Sequence, residues 1–173
     1  MLLARKNGGV ALRKFVPLFL LIFYCSLWIC SQDDGVLKIE ASVRPEILSG
    51  NQDGKIVLKL SLPEGINIVP QPFFSVEFVP RKDIVFAKTI LAASDLDLEI
   101  LKENGKEYFN LDKPIEIPFK VSGEAERGKY RLEGKIKYFA CSKEEGWCLK
   151  STSKFFLSFS IRDTSVEKKL SIS

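Results

Sequence analysis

Beyond Cys30 the chain is organised by period-two alternation of apolar and polar positions. Leu37, Ile39, Ala41 and Val43 alternate with Lys38, Glu40 and Ser42. Ile56, Leu58, Leu60 and Leu62 alternate with Val57, Lys59 and Ser61, and Ile115, Ile117, Phe119 and Val121 with Glu116, Pro118 and Lys120. Tyr130, Leu132, Ile136 and Tyr138 form a longer run against Arg131, Glu133, Lys135 and Lys137, and Phe155, Leu157, Phe159 and Ile161 close the series. Each run predicts a strand with one buried and one wet face, as in antiparallel sheets. Turn signals separate the runs: Asn51-Gln52-Asp53-Gly54, Pro63-Glu64-Gly65, and Gly123 to Gly128. Glu103-Asn104-Gly105-Lys106 predicts a hairpin tip between Leu98-Ile100 and Tyr108-Phe109. The weakly patterned stretch from Ala87 to Asp97 has room for one short helical turn. Pro118 predicts an edge strand or a bulge, because proline cannot donate to a ladder.

Many short strands at regular spacing predict an all-β fold, an antiparallel β-sandwich. The segment Glu126-Arg127-Gly128-Lys129-Tyr130 resembles the tyrosine corner of immunoglobulin-like domains, with Glu where Asp is usual.

The amino terminus is of another kind. Arg5, Lys6, Arg13 and Lys14 form a basic region without acids, followed by an apolar run from Phe15 to Ile29 broken by Pro17 and Ser26. That run is long for a signal core and short for a membrane span. Residues 1–30 therefore read as a cleaved signal peptide, a lipoprotein signal with Cys30 as the lipidated residue, or a retained anchor. Leu27-Trp28-Ile29-Cys30 has lipobox shape with bulky residues at Trp28 and Ile29. All three readings export the remainder to the periplasm or the cell exterior, where disulfides persist. The expected organisation is the leader at 1–30, a linker at 31–35, one sandwich domain at 36–163 and a tail at 164–173.

Charge narrows the partners. The chain is formally +4, and the four basic residues of the leader equal that whole excess, so the exported part is neutral. A nucleic-acid-binding domain usually carries a basic excess, so nucleic acid is not an expected partner. The chain has no histidine, which removes histidine-based nucleophilic sites and the usual zinc sites. No phosphate-cradling glycine loop is present, and no metal or other cofactor is expected. Asp95/Asp97 and Glu144/Glu145 read as solvated charges.

Cys141 and Cys148 are left as the candidate chemistry. Extending the alternation puts Cys141 on the face of Lys135, Lys137 and Phe139, and Cys148 on the face of Lys150, Thr152 and Lys154. Both sulfurs then lie on the outer faces of neighbouring strands. A bridge over so short a loop contributes about 2.5 kcal/mol of chain-entropy stabilisation, against roughly 4.4 kcal/mol for a loop near 65 residues. A hairpin staple in a non-enzymatic envelope-binding sandwich and an accessible exchange site stand level on these grounds.

The segment Tyr138-Phe139-Ala140-Cys141, an acidic loop with Glu144, Glu145 and Gly146, then Cys148 and the Phe155–Phe159 strand resembles the amino-terminal periplasmic domain of the thiol:disulfide interchange protein DsbD and its stand-alone relatives. Gly128-Lys129-Tyr130-Arg131-Leu132-Glu133-Gly134 shares the resemblance. The spacing here is Cys-x6-Cys, longer than usual in that family, and Leu149-Lys150 stand where an aromatic and prolines are common. The resemblance implies an immunoglobulin-like fold and electron transfer through Cys141 and Cys148, with Cys148 as the attacking cysteine. It implies redox partners: a membrane thiol transporter and thioredoxin-like proteins. Phe139, Trp147 and Tyr138 are the expected docking or shielding residues, and Phe73-Phe74 or Phe86 the candidates for the aromatic cap that covers the pair in that family. The domain is expected to be a monomer, tethered to the membrane if the leader is kept.

Overall fold

A computed structural model describes residues 35–162. The leader at 1–30 with Cys30, most of the linker and the tail at 164–173 lie outside the described residues. Twelve strands follow in chain order: β1 (Lys38–Arg44), β2 (Ile47–Leu48), β3 (Asp53–Ser61), β4 (Ile66–Val69), β5 (Ser75–Phe78), β6 (Ile84–Val85), β7 (Ile90–Ala92), β8 (Ile100–Glu103), β9 (Lys106–Phe109), β10 (Ile115–Val121), β11 (Gly128–Ser142) and β12 (Cys148–Ile161). A single 3-10 turn at Ala93–Asp95 follows β7, inside the stretch expected to hold one.

One sheet has the order β1-β3-β10-β6, a second β2-β12-β11-β5-β7 with β4 also paired to β11, and β8 and β9 form a two-stranded sheet of their own. β2 leaves the first sheet and runs parallel to β12. This is the connectivity of an immunoglobulin sandwich: the first, second, fifth and fourth core strands in one sheet, the third, sixth and seventh in the other. The tyrosine corner is present. Tyr130, near the start of β11, donates its hydroxyl to the Glu126 carbonyl at 2.7 Å. Pro118 lies where β10 is an edge. β6 reaches only Lys120 and Val121, so the proline faces β3 on one side and no described strand on the other.

The alternating residues fill the space between the sheets. Ile56, Leu58, Ile117 and Val121 of the first sheet and Leu132, Ile136 and Tyr138 of the second are almost completely buried. Phe119 and Phe159 meet across the sandwich at 5.7 Å between ring centroids. Gly134 interrupts the apolar series on the inner face of β11 for a steric reason. It stands opposite Phe155, whose ring occupies the space a Cβ would need.

The long β11–β12 ladder positions the cysteines. Its register is unbroken from Gly128↔Ile161 to Cys141↔Cys148, with no bulge to reverse the faces.

Candidate functional site

Cys141 and Cys148 are directly opposite one another and form a disulfide, with Cα atoms 4.1 Å apart. The short separation fits a non-hydrogen-bonded antiparallel pair, whose side chains approach closely on one face. The next pair along agrees: Ser142 N–H donates to the Trp147 carbonyl at 3.0 Å. Cys141 shares the outer face of β11 with Lys135, Lys137 and Phe139, as the alternation predicts, and Cys148 shares that of β12 with Lys150, Thr152 and Lys154.

The two sulfurs have different surroundings. β11 is an interior strand at Cys141, with Asn67 of β4 on one side and Cys148 on the other. At Cys148 no described strand pairs with the far side of β12, since β2 reaches only Ser160 and Ile161. Cys148 is accordingly exposed and Cys141 half-buried.

A third element lies over the Cys141 side. The β8–β9 hairpin turns at Asn104 and Gly105, both with positive φ (51° and 75°), the geometry that Asn-Gly favours in a two-residue turn. Between it and the cysteine loop lies a cavity of about 190 Å³, lined by Cys141, Ser142, Lys143, Asn67, Glu103 and Tyr108 among others. Lys143 Nζ donates to Glu103 Oε2, which also accepts from the Tyr108 hydroxyl at 2.7 Å. The Lys143 ammonium lies 4.7 Å from the centre of the Tyr108 ring. The Lys143 hydrogen bond, reinforced by that of Tyr108, holds the Glu103 carboxyl below its usual range, and the same bond raises Lys143. The loop is also anchored from below, where Lys143 N–H donates to the Gly65 carbonyl at 3.0 Å.

The aromatic residues divide between the faces. Phe139 is half-buried on the outer face beside the disulfide and meets Phe73 edge-on at 5.2 Å. Trp147 is half-buried, packs against the core and donates its indole N–H to Glu145. Tyr138 is a correction to the expected docking set. It is fully buried on the opposite face, where its hydroxyl accepts from Leu37 N–H at 3.0 Å and bonds Ser153 Oγ at 3.1 Å. The same parity that turns Cys141 outward turns Tyr138 inward. Of the candidate cap residues, Phe74 is buried against Phe109, and Phe86 stacks on Phe78. Only Phe73 stands on the cysteine face. Sequence reasoning placed the β8–β9 turn correctly but did not place it beside Cys141; Glu103 and Lys143 are 40 residues apart, and no local signal joins them.

No protein-family model and no curated protein sequence matches the chain. Among solved structures, it is similar to the N-terminal periplasmic domain of ScsB from Proteus mirabilis, with 14% identity over 78% of this chain and 51% of that one, at a TM-score of 0.37. It is also similar to AggA, the major subunit of aggregative adherence fimbriae type I from Escherichia coli (11% identity, 75% and 97% of the two chains, TM-score 0.36). Murine CRIg is a third (10% identity, 75% and 100%, TM-score 0.32). Similarity at this level carries no argument about function. The fold stands on strand order, register and the tyrosine corner, and the site on its own geometry.

Proposed function

We propose that this chain is an exported thiol–disulfide exchange domain that passes electrons through Cys141 and Cys148 between redox proteins. The observation that carries this reading is the asymmetry of the pair: Cys148 is exposed on a strand edge, and Cys141 lines a cavity beneath the β8–β9 hairpin. Thiol–disulfide exchange needs an approachable sulfur and a second thiol poised to resolve the mixed disulfide. The leader and the bridge itself fit a compartment outside the cytoplasm.

In the reduced domain the Cys148 thiolate attacks one sulfur of a partner disulfide. A Cys148–partner bond forms, and the displaced partner thiolate takes a proton. The Cys141 thiolate then attacks Cys148, restores the Cys141–Cys148 bond and releases the second partner thiol. The partner gains two electrons and two protons, and the domain loses them. A membrane thiol transporter returning electrons to the pair closes the cycle. The hairpin, with Tyr108 and the Lys143–Glu103 bond, supplies the shielding that the DsbD resemblance assigns to an aromatic cap, and Phe139 and Phe73 form an apolar rim on the cysteine face.

A Cys141→Ser variant should trap partners as mixed disulfides with Cys148, resolved by reductant on non-reducing gels. If neither Cys141→Ser nor Cys148→Ser traps a partner in cell extracts, the pair is a staple and the domain a non-enzymatic envelope module.

A further inference from the structure

The outer face of the second sheet is a continuous surface with the disulfide at one end. Its charge is one-sided. Lys129, Arg131, Lys135 and Lys137 of β11 and Lys150 and Lys154 of β12 project there, against Glu133 of β11 and Glu77 of β5. The chain beyond the leader is formally neutral, so this basic excess is a segregation of charge and not a property of the composition.

Lys135 and Lys154 stand directly opposite on neighbouring strands, which concentrates positive charge at the middle of the ladder. Glu77 serves two lysines at once, Lys137 at 2.7 Å and Lys135 at 3.2 Å, which leaves net positive charge on the face. Burial would raise the Glu77 carboxyl, but the hydrogen bonds from Lys137 and Lys135 prevail and keep it below its usual range. Apolar surface is interleaved with the cations: the Arg131 guanidinium lies 4.1 Å from the centre of the half-exposed Phe156 ring, and Lys150 Nζ lies 5.1 Å from that of Phe73. A cation over an aromatic ring is attracted to its face, and Arg and aromatic residues are enriched at protein interfaces; the Lys150–Phe73 pair lies near the disulfide and the Arg131–Phe156 pair at the far end of the face.

We infer that this face docks an acidic protein partner, whose carboxylates lie along β11 and β12 while its disulfide meets Cys148. The inference rests on the exchange reading and names the partner's chemistry. The lysines begin two residues from Cys148 at Lys150 and reach Lys154, about 20 Å along an extended strand. An extended peptide with its acids within some six residues of its cysteine therefore spans them.

The test uses three disulfide-linked peptides identical except for a run of Glu, Ser or Lys beginning two residues from the cysteine. Their reduction by the reduced protein is timed, each rate normalised to that with dithiothreitol. At low salt the Glu peptide should react about tenfold faster than the Ser peptide and the Lys peptide slowest, the order expected of electrostatic steering. The differences should collapse near ~1 M salt, where the screening length falls to a few ångströms. The Lys150→Glu/Lys154→Glu variant should invert the order. Equal rates for the three peptides, or a preference that survives high salt or charge reversal, overturn the acidic partner while leaving exchange intact. No reaction with any peptide overturns the exchange reading itself. Binding of the protein to anionic phospholipid vesicles, with the peptide preference absent, assigns the face to a membrane and overturns the inference.

Discussion

Lys143 and Glu103 tie the cysteine loop to the β8–β9 hairpin across 40 residues of sequence, and Tyr108 completes the contact through the same carboxylate oxygen. The base of the hairpin is seated in the core by Phe109 of β9, which meets Phe74 at 5.2 Å, whereas the contact at its tip is polar and lies beside the small cavity. A contact of that kind opens with less loss than a packed core.

The contact has a pH signature. The Glu103 carboxyl is held below its usual range by Lys143 first and Tyr108 second, so its contribution is present above the unfolded-state value and is lost as pH falls through the folded value. Lys143 is raised, so its contribution persists below the usual lysine range and is lost only as pH rises through the raised value. The Lys143–Glu103 contact is therefore held throughout the neutral range and lost in acid below the ordinary carboxylate range, while Phe109 keeps the base of the hairpin in the core. Amide resonances of Asn104, Gly105 and Lys143 should move together in an acid NMR titration before global unfolding, and Glu103→Gln should move them at neutral pH. Hairpin amides that stay fixed until the whole domain unfolds would refute the latch.

Tyr138 is predicted to be structural. Tyr138→Phe leaves Leu37 N–H and Ser153 Oγ without their buried partner, at a cost of about 1–3 kcal/mol. Urea unfolding should register that loss, with the rate of exchange unchanged once the protein is folded. A slowed exchange in a fully folded Tyr138→Phe domain would put the hydroxyl in the reaction after all.

Gly134→Ala should destabilise by about 1–3 kcal/mol, because the added methyl group collides with the Phe155 ring opposite. Phe155→Leu in the same chain should recover part of that loss, and a double-mutant cycle by urea unfolding reads the coupling. Strictly additive effects would mean that the two positions do not share the space.

Loss of the disulfide should leave the fold standing. The β11–β12 register runs unbroken from Gly128↔Ile161 up to the cysteines, so Cys141→Ser/Cys148→Ser removes a constraint at one end of a ladder already formed. The expected cost is about 2.5 kcal/mol, from the short loop the bridge closes. Circular dichroism of the double variant should retain its strand signature, whereas global unfolding would make the bridge a staple on which the domain depends.

The long strands were legible because each has one face in the core. Register has no freedom there, and parity carried from Tyr130 to Cys141 and from Phe156 back to Cys148 without error. The short strands β2 and β4 to β7 were not legible. They hold two to four residues each, and Pro70, Pro72 and Pro80 interrupt the stretch that contains most of them. They are strands only because β10, β11 and β12 offer partners to β2, β4, β5 and β6, and β5 in turn to β7. Val57, read as an outward position, is buried like its neighbours Ile56 and Leu58, a burial that alternation alone did not reveal. Tyr138 shows the limit of motif reasoning: adjacency to Cys141 placed it in the site, and the pleat placed it in the core. The pairing of the hairpin with the cysteine loop is tertiary and leaves no local mark.

The reduction potential of the Cys141–Cys148 couple, measured by equilibration with glutathione buffers, separates an exchange site from a staple. An exchange site should lie in the range of known thiol–disulfide catalysts, roughly −120 to −270 mV. A potential below about −300 mV would mark a structural bridge and rule out exchange through the pair.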